Sequence, residues 1–282
     1  MVMRFAMSAR FSSVLLLVLF ACDSALACVN TSYSRKEEKQ ITCTLTQLIA
    51  GQFPEHSAAF YQNQVTLNTA KLGNDPTDVE ARNDYAVALL KLKRYDEAEA
   101  EFLKIERENP GRYKTHANLG VLYKKMGNYE KAAEHTAKAL EIRPEGHLGL
   151  GDYYQRMLVG RAARAAGDAT VKGRNFLGVD YAAGPEATAN SPLVNREHLM
   201  TLIKADRHFA DAYQILGDVL FTKGDLQHAM RAYMMANSLM GSVEQMDSRI
   251  DERVDLVQVR WRGEASQKSG HVFDPNWYSQ IR

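Results

Sequence analysis

Cysteine is scarce in this chain, with three among 282 residues, and tryptophan (two) and proline (seven) are scarce as well. So few cysteines exclude the multi-bridge framework of a small disulfide-stapled domain. An excess of charge of either sign is also missing. Lys+Arg 35 against Asp+Glu 34 leaves a formal +1, so no generalised attraction to nucleic acid is expected. Catalytic signatures are absent too: there is no nucleophile elbow, HExxH, P-loop or dinucleotide fingerprint. The glycines at 146–151 and 167–173 fall at the wrong spacings and follow no strand pattern. The eight histidines are scattered, and His198, which follows Glu197, has no second ligand one helical turn away. No metal, cofactor or enzymatic activity is expected from these residues.

Long hydrophobic runs are confined to the beginning. Arg4 and Arg10 precede an apolar stretch from Phe11 to Phe20, and Ala25-Leu26-Ala27 supplies a small-x-small site, the pattern of an export signal cut after Ala27. The run is shorter than the ~20 residues a membrane helix needs, so the mature chain is expected to hold no stable span and to be periplasmic or secreted. A second reading stands beside this one: Leu19-Phe20-Ala21-Cys22 resembles a lipobox, which would anchor a lipoprotein through Cys22. Cutting after Ala27 leaves Cys28 and Cys43 as the remaining pair, and in an exported chain they are expected to form a disulfide.

Hydrophobic residues at 45% and charged residues at 24% are those of a globular chain. Its organisation lies in a recurrence. Pro144, Pro110 and Pro76 stand 34 residues apart; the same step relates Tyr129 to Tyr95, Ala132 to Ala98 and Gly120 to Ala86. Small residues at 86 and 120 let antiparallel helices approach closely, and the prolines end the second helix of each pair. Thr77 with Glu80 reads as a capping box. After Pro144 the beat is lost. A helix is expected over 147–166, then a glycine-rich loop over 167–192, then helix again over 193–205, so an insertion splits the third pair. Tyr213, Leu216-Gly217, Phe221, Gly224, Ala229, Tyr233 and Ala236 restore the phase. Ser242 and Gln245 start a last helix carrying Met246, Ile250, Val254, Val257 and Trp261 on one side, suited to a terminal cap.

These residues resemble the tetratricopeptide repeat family. The resemblance implies an all-α, right-handed solenoid of about four helix pairs with N- and C-terminal capping helices, and a protein or peptide partner in its concave groove. The expected division is an N-terminal segment 28–56, a solenoid 57–262 carrying the insertion 167–192, and a tail 263–282. In such proteins the first helix of each pair lines the groove. The implied lining is Asn83, Val87 and Lys91, then Lys114, Asn118, Val121 and Lys125, then Gln214 and Asp218. Asn118 matches the second asparagine of the family's carboxylate clamp, but Asn83 and Val87 stand where that clamp has Lys and Asn, so binding of chaperone tails is not implied. The expected function is a non-catalytic scaffold in the bacterial envelope. The alternatives are an enzyme or accessory subunit acting through the insertion, and a structural oligomer.

Overall fold

The computed structural model describes residues 29–32, 43–52, 56–146, 149–240 and 244–269, with only the main chain described for 244–249 and 265–269. The export signal, Cys22, Cys28, the Ser242–Gln245 box and residues 270–282 of the tail are outside the described residues or their described side chains. Among the described residues there is no strand, only an isolated antiparallel bridge between Arg174 and Asp180.

Among the described residues twelve α-helices follow one another. A short α1, Leu45–Ile49, is separated from α2, Ala58–Asn74. The pairs α3, Val79–Lys91, with α4, Tyr95–Glu108, and α5, Tyr113–Lys125, with α6, Tyr129–Ile142, are the two regular repeats. The split third pair is α7, Gly151–Ala165, and α9, Arg196–Ala205, with the insertion and its short helix α8, Gly184–Ala189, between them. The last pair is α10, Ala210–Thr222, and α11, Leu226–Met240, followed by α12, Glu244–Ser269. Neighbouring helices pack in sequence order, as in a helical solenoid.

The expected packing residues do what their size requires. A Cβ on Gly120 would stand 2.5 Å from Thr136 Oγ1 and 3.3 Å from the Ala132 carbonyl, so only glycine permits α5 and α6 to cross this closely. Gly217 plays the same part between α10 and α11, where a Cβ would meet the Tyr233 ring at 2.5 Å. Ala86, Ala98, Ala132 and Phe102 are wholly buried. Helices α4 and α6 stop at Glu108 and Ile142, two residues ahead of Pro110 and Pro144.

Several local expectations are corrected. Helix α3 is capped by Asp78, which accepts from the Ala81 N–H, while Thr77 bonds to Asp75; the Thr77–Glu80 capping box does not form. Asp78, one residue nearer the helix, takes the cap in place of the Thr77 hydroxyl, which is bonded to Asp75. Helix α1 lies in the expected N-terminal segment. It packs against α9 and α11, with Leu48 and Ile49 fully buried. The insertion is not a bare loop: it holds two 3₁₀ turns, Ala169–Val171 and Tyr181–Ala183, besides α8, and it buries Phe176, Leu177 and Tyr181. Cap helix α12 runs to Ser269, past the expected boundary at 262.

Candidate functional site

The first helices α3 and α5 lie side by side, and their shared face carries Asn83, Asp84 and Asn118 at 3%, 2% and 0% exposure. Buried amides and carboxylates are costly unless hydrogen-bonded. The helices satisfy one another only in part: Asn118 Nδ2 donates to Asn83 Oδ1 at 2.9 Å, and Asn83 Nδ2 donates to Asp84 Oδ1 at 3.3 Å. The remaining partners come from a separate piece of chain, residues 29–32. The Asn30 N–H donates to Asn118 Oδ1 at 2.7 Å, and the Asn30 carbonyl accepts from Asn83 Nδ2 at 2.7 Å and Asn118 Nδ2 at 3.1 Å. Asp84 accepts the Ser32 N–H at 3.1 Å and, through its other oxygen, the Ser32 hydroxyl. Val29 is buried in the same hydrophobic cluster as Val87 and Val121.

Asn83, Asn118, Val87 and Val121 thus meet on one face, the two valines beneath the surface at 0% and 4% exposure. Lys91 and Lys125 are exposed at the far ends of α3 and α5, with Lys91 Nζ 5.9 Å above the Tyr61 ring. Lys114 lies elsewhere in function: it pairs with Glu80, which also receives Arg112 at 2.9 Å, a tie between repeats. Gln214 and Asp218 do not line an open groove. They are 2% and 1% exposed: the short helix of the insertion packs on α10, and Arg253 of α12 reaches Asp218. Asp218 accepts from Arg253 at 3.0 Å and from the Tyr233 hydroxyl at 2.8 Å, and Gln214 Nε2 has no hydrogen-bond partner among the described residues. Burial pushes the Asp218 carboxyl up, against the pull of Arg253.

The insertion is fastened to α10 through Asp211. That carboxylate accepts from the Tyr181 hydroxyl at 2.5 Å, the Phe176 N–H at 3.0 Å and Arg164 at 3.0 Å. Arg253 adds a bond to the Tyr181 carbonyl at 2.8 Å. At the α9–α10 corner Asp206 takes Lys124 at 3.2 Å and Arg161 at 3.3 Å; desolvation raises its carboxyl, but these two cations outweigh that and hold it below the ordinary value. Within the second repeat, His116 Nδ1 faces His135 Nδ1 at 3.1 Å, and His116 Nε2 lies 3.4 Å from Glu106. Burial, and then the neighbouring His116, push His135 down to about 4. Among the described residues no three metal-ligating side chains converge. Cys43 is half-buried against the core, and its expected partner Cys28 lies outside the described residues.

Asp84 was not among the groove residues expected from sequence. One step of 34 residues carries it to Asn118, so the repeat phase contained the signal. The segment 29–32 had no comparable signal, because it is held chiefly by its main chain.

Comparison with protein families agrees with this architecture. Residues 66–115, 113–145 and 210–239 each match the tetratricopeptide repeat. The matched stretches span α2 to α6 and α10 to α11, and leave out the split third pair. Comparison with curated proteins gave no match. Such repeats generally mediate protein–protein interactions and are typically non-catalytic. Among the described residues no helix is long and apolar enough to cross a membrane. With its regular helix pairs, small crossing residues and three matched stretches, the chain carries tetratricopeptide repeats over residues 66–145 and 210–239.

Proposed function

We propose that the protein is an exported, non-catalytic interaction scaffold of the bacterial cell envelope, which receives a segment of a partner protein on the face made by α3 and α5. The observation that carries this reading is the incompleteness of that face: Asn83, Asp84 and Asn118 are buried, yet their hydrogen bonds are completed by a passing main chain rather than by the helices. A preformed polar surface of this kind loses little freedom on association. Export rests on the leader pattern with cleavage after Ala27, the lipobox at Cys22 being the alternative, and the Cys28–Cys43 disulfide belongs to the same proposal.

Site-specific photocrosslinking in an envelope fraction tests the reading. A crosslinker placed at Lys91 or Lys125, both exposed beside the face, is expected to capture a discrete partner. The same group at Leu256, exposed at 42% on α12, should not. Capture from all three positions alike, or from none, would count against the scaffold.

A further inference from the structure

The face on α3 and α5 is already filled, and what fills it describes what it accepts. Asn118 pairs with both main-chain groups of Asn30, taking the N–H on Oδ1 and giving Nδ2 to the carbonyl. Asn83 fixes the orientation of that amide through its own Oδ1 and adds a second donor to the same carbonyl. Every residue except proline carries this N–H and C=O pair, so the clamp is blind to the side chain at the clamped position. Selectivity enters two residues later. There Asp84, 2% exposed, takes both the N–H and the hydroxyl of Ser32. A carboxylate or phosphate at that place would face a buried like charge and be repelled. Val29 and Thr31, each 6% exposed, add two small β-branched positions on either side of the clamped residue.

Among the described residues, five hydrogen bonds from Asn30 and Ser32 and the burial of Val29 and Thr31 fasten the occupant, against the cost of ordering its main chain. We propose that residues 29–32 are a resident, exchangeable occupant of a main-chain clamp. The partner engages by substituting for them a segment of its own with the same chemistry, without a carboxylate or phosphate and carrying Ser or Thr two residues beyond the clamped one. This rests on the scaffold reading of the face and names the class of segment it takes. Because the resident segment is tethered, it competes at a high effective concentration, and the face is self-blocked until a better or more abundant segment arrives.

Fluorescence anisotropy of a labelled synthetic peptide of residues 29–36 tests this on the full chain. Asn30→Pro removes the N–H that Asn118 accepts, and this variant is expected to bind the peptide at least tenfold more tightly than the wild type does. Adding Asn118→Ala should abolish binding, and a peptide carrying Ser32→Asp should not bind the Asn30→Pro chain. Equal affinity for wild type and Asn30→Pro, or binding that survives Asn118→Ala, would overturn the proposal. Should Asn30→Pro fail to fold by circular dichroism, Ser32→Ala in the chain replaces it with an expected gain of severalfold; no gain overturns the proposal equally. The outcome separates from that of the scaffold reading. A chain that crosslinks a partner at Lys91 or Lys125 but shows no exchange keeps the scaffold and loses the clamp. Exchange without any crosslinked partner does the reverse.

Discussion

Residues 29–32 on α3 and α5, and residues 175–188 on α10, are both pieces of chain laid across first helices, yet different chemistry fastens them. The insertion sinks Phe176, Leu177 and Tyr181 to 6%, 4% and 3% exposure and is pinned by the Asp211 cluster. Side chains of that size stabilise by about 1.5–3 kcal/mol each when buried. The N-terminal piece relies on hydrogen bonds, each worth only ~0.5–1.5 kcal/mol net, while ordering a residue costs ~1–2 kcal/mol. The first cover is fastened by large buried side chains and a buried ion-pair cluster, the second by hydrogen bonds to its main chain and two small side chains.

The contrast can be broken most directly at Asp211. Asp211→Ala leaves Arg164, the Tyr181 hydroxyl and the Phe176 N–H without their acceptor, and is expected to cost about 3–5 kcal/mol in urea unfolding. An unchanged midpoint would mean that the insertion is not fastened there. Asn118→Ala should cost less, about 1–3 kcal/mol, since a neutral buried network is lost rather than an ion pair. Hydrogen exchange after that change should quicken at residues 30 and 32 and stay the same at 176 and 181. Equal acceleration at both sites would erase the distinction between the two covers.

Acid should weaken the second repeat first. His135 titrates at about 4 when folded and near 6.5 when unfolded, so between these values the unfolded chain binds the extra proton. Stability then falls as pH is lowered from 6.5 to about 4, by about 1 kcal/mol in total once solvent screening of a half-exposed ring is allowed for. His135→Gln should flatten that slope. Asp206 acts in the opposite part of the range. Its folded value lies below 3.8, so its contribution is present above that pH and is lost only as pH falls through the folded value. A melt that weakens only below 3.8 would remove His135 from the account.

The smallest effect is expected at a position touching neither cover. Lys93 sits at φ 62, where Gly127 and Gly224 occupy the matching turns at φ 79. Relief of left-handed strain, partly offset by glycine's greater freedom when unfolded, should make Lys93→Gly more stable by ~0.5–1 kcal/mol. Neither peptide exchange nor protection of the insertion should change.

The regular pairs were legible because their packing leaves a residue-level trace: Gly120, Ala98 and Ala132 recur wherever helices cross. The polar face of α3 and α5 was legible in part: Asn83 and Asn118 were named, but Asp84 was passed over although it shares the phase of Asn118. What lies across that face was not legible, since bonds to an N–H and a carbonyl constrain no side chain. The insertion was misjudged for a related reason. Its glycines read as loop, while the partners that order it, Asp211 and Arg253, are 30 or more residues away from Tyr181. Gln214 and Asp218 were assigned to an open groove by extending the first two repeats to the last, where the chain itself had closed it.

The seat of α1 on α9 and α11 has a consequence for how the molecule comes apart. An array of repeats is held by nearest-neighbour interfaces, so it can fray from either end and lose its units one after another. Here residues from the beginning of the described chain, Leu48 and Ile49 with Thr46 bonded to His228 at 3.0 Å, bridge to the last pair. Fraying from the C-terminal end must strip that bridge before it can advance. The bridge is expected to give a linear stack the cooperativity of a closed one, and a denaturation profile with a single step instead of a staircase.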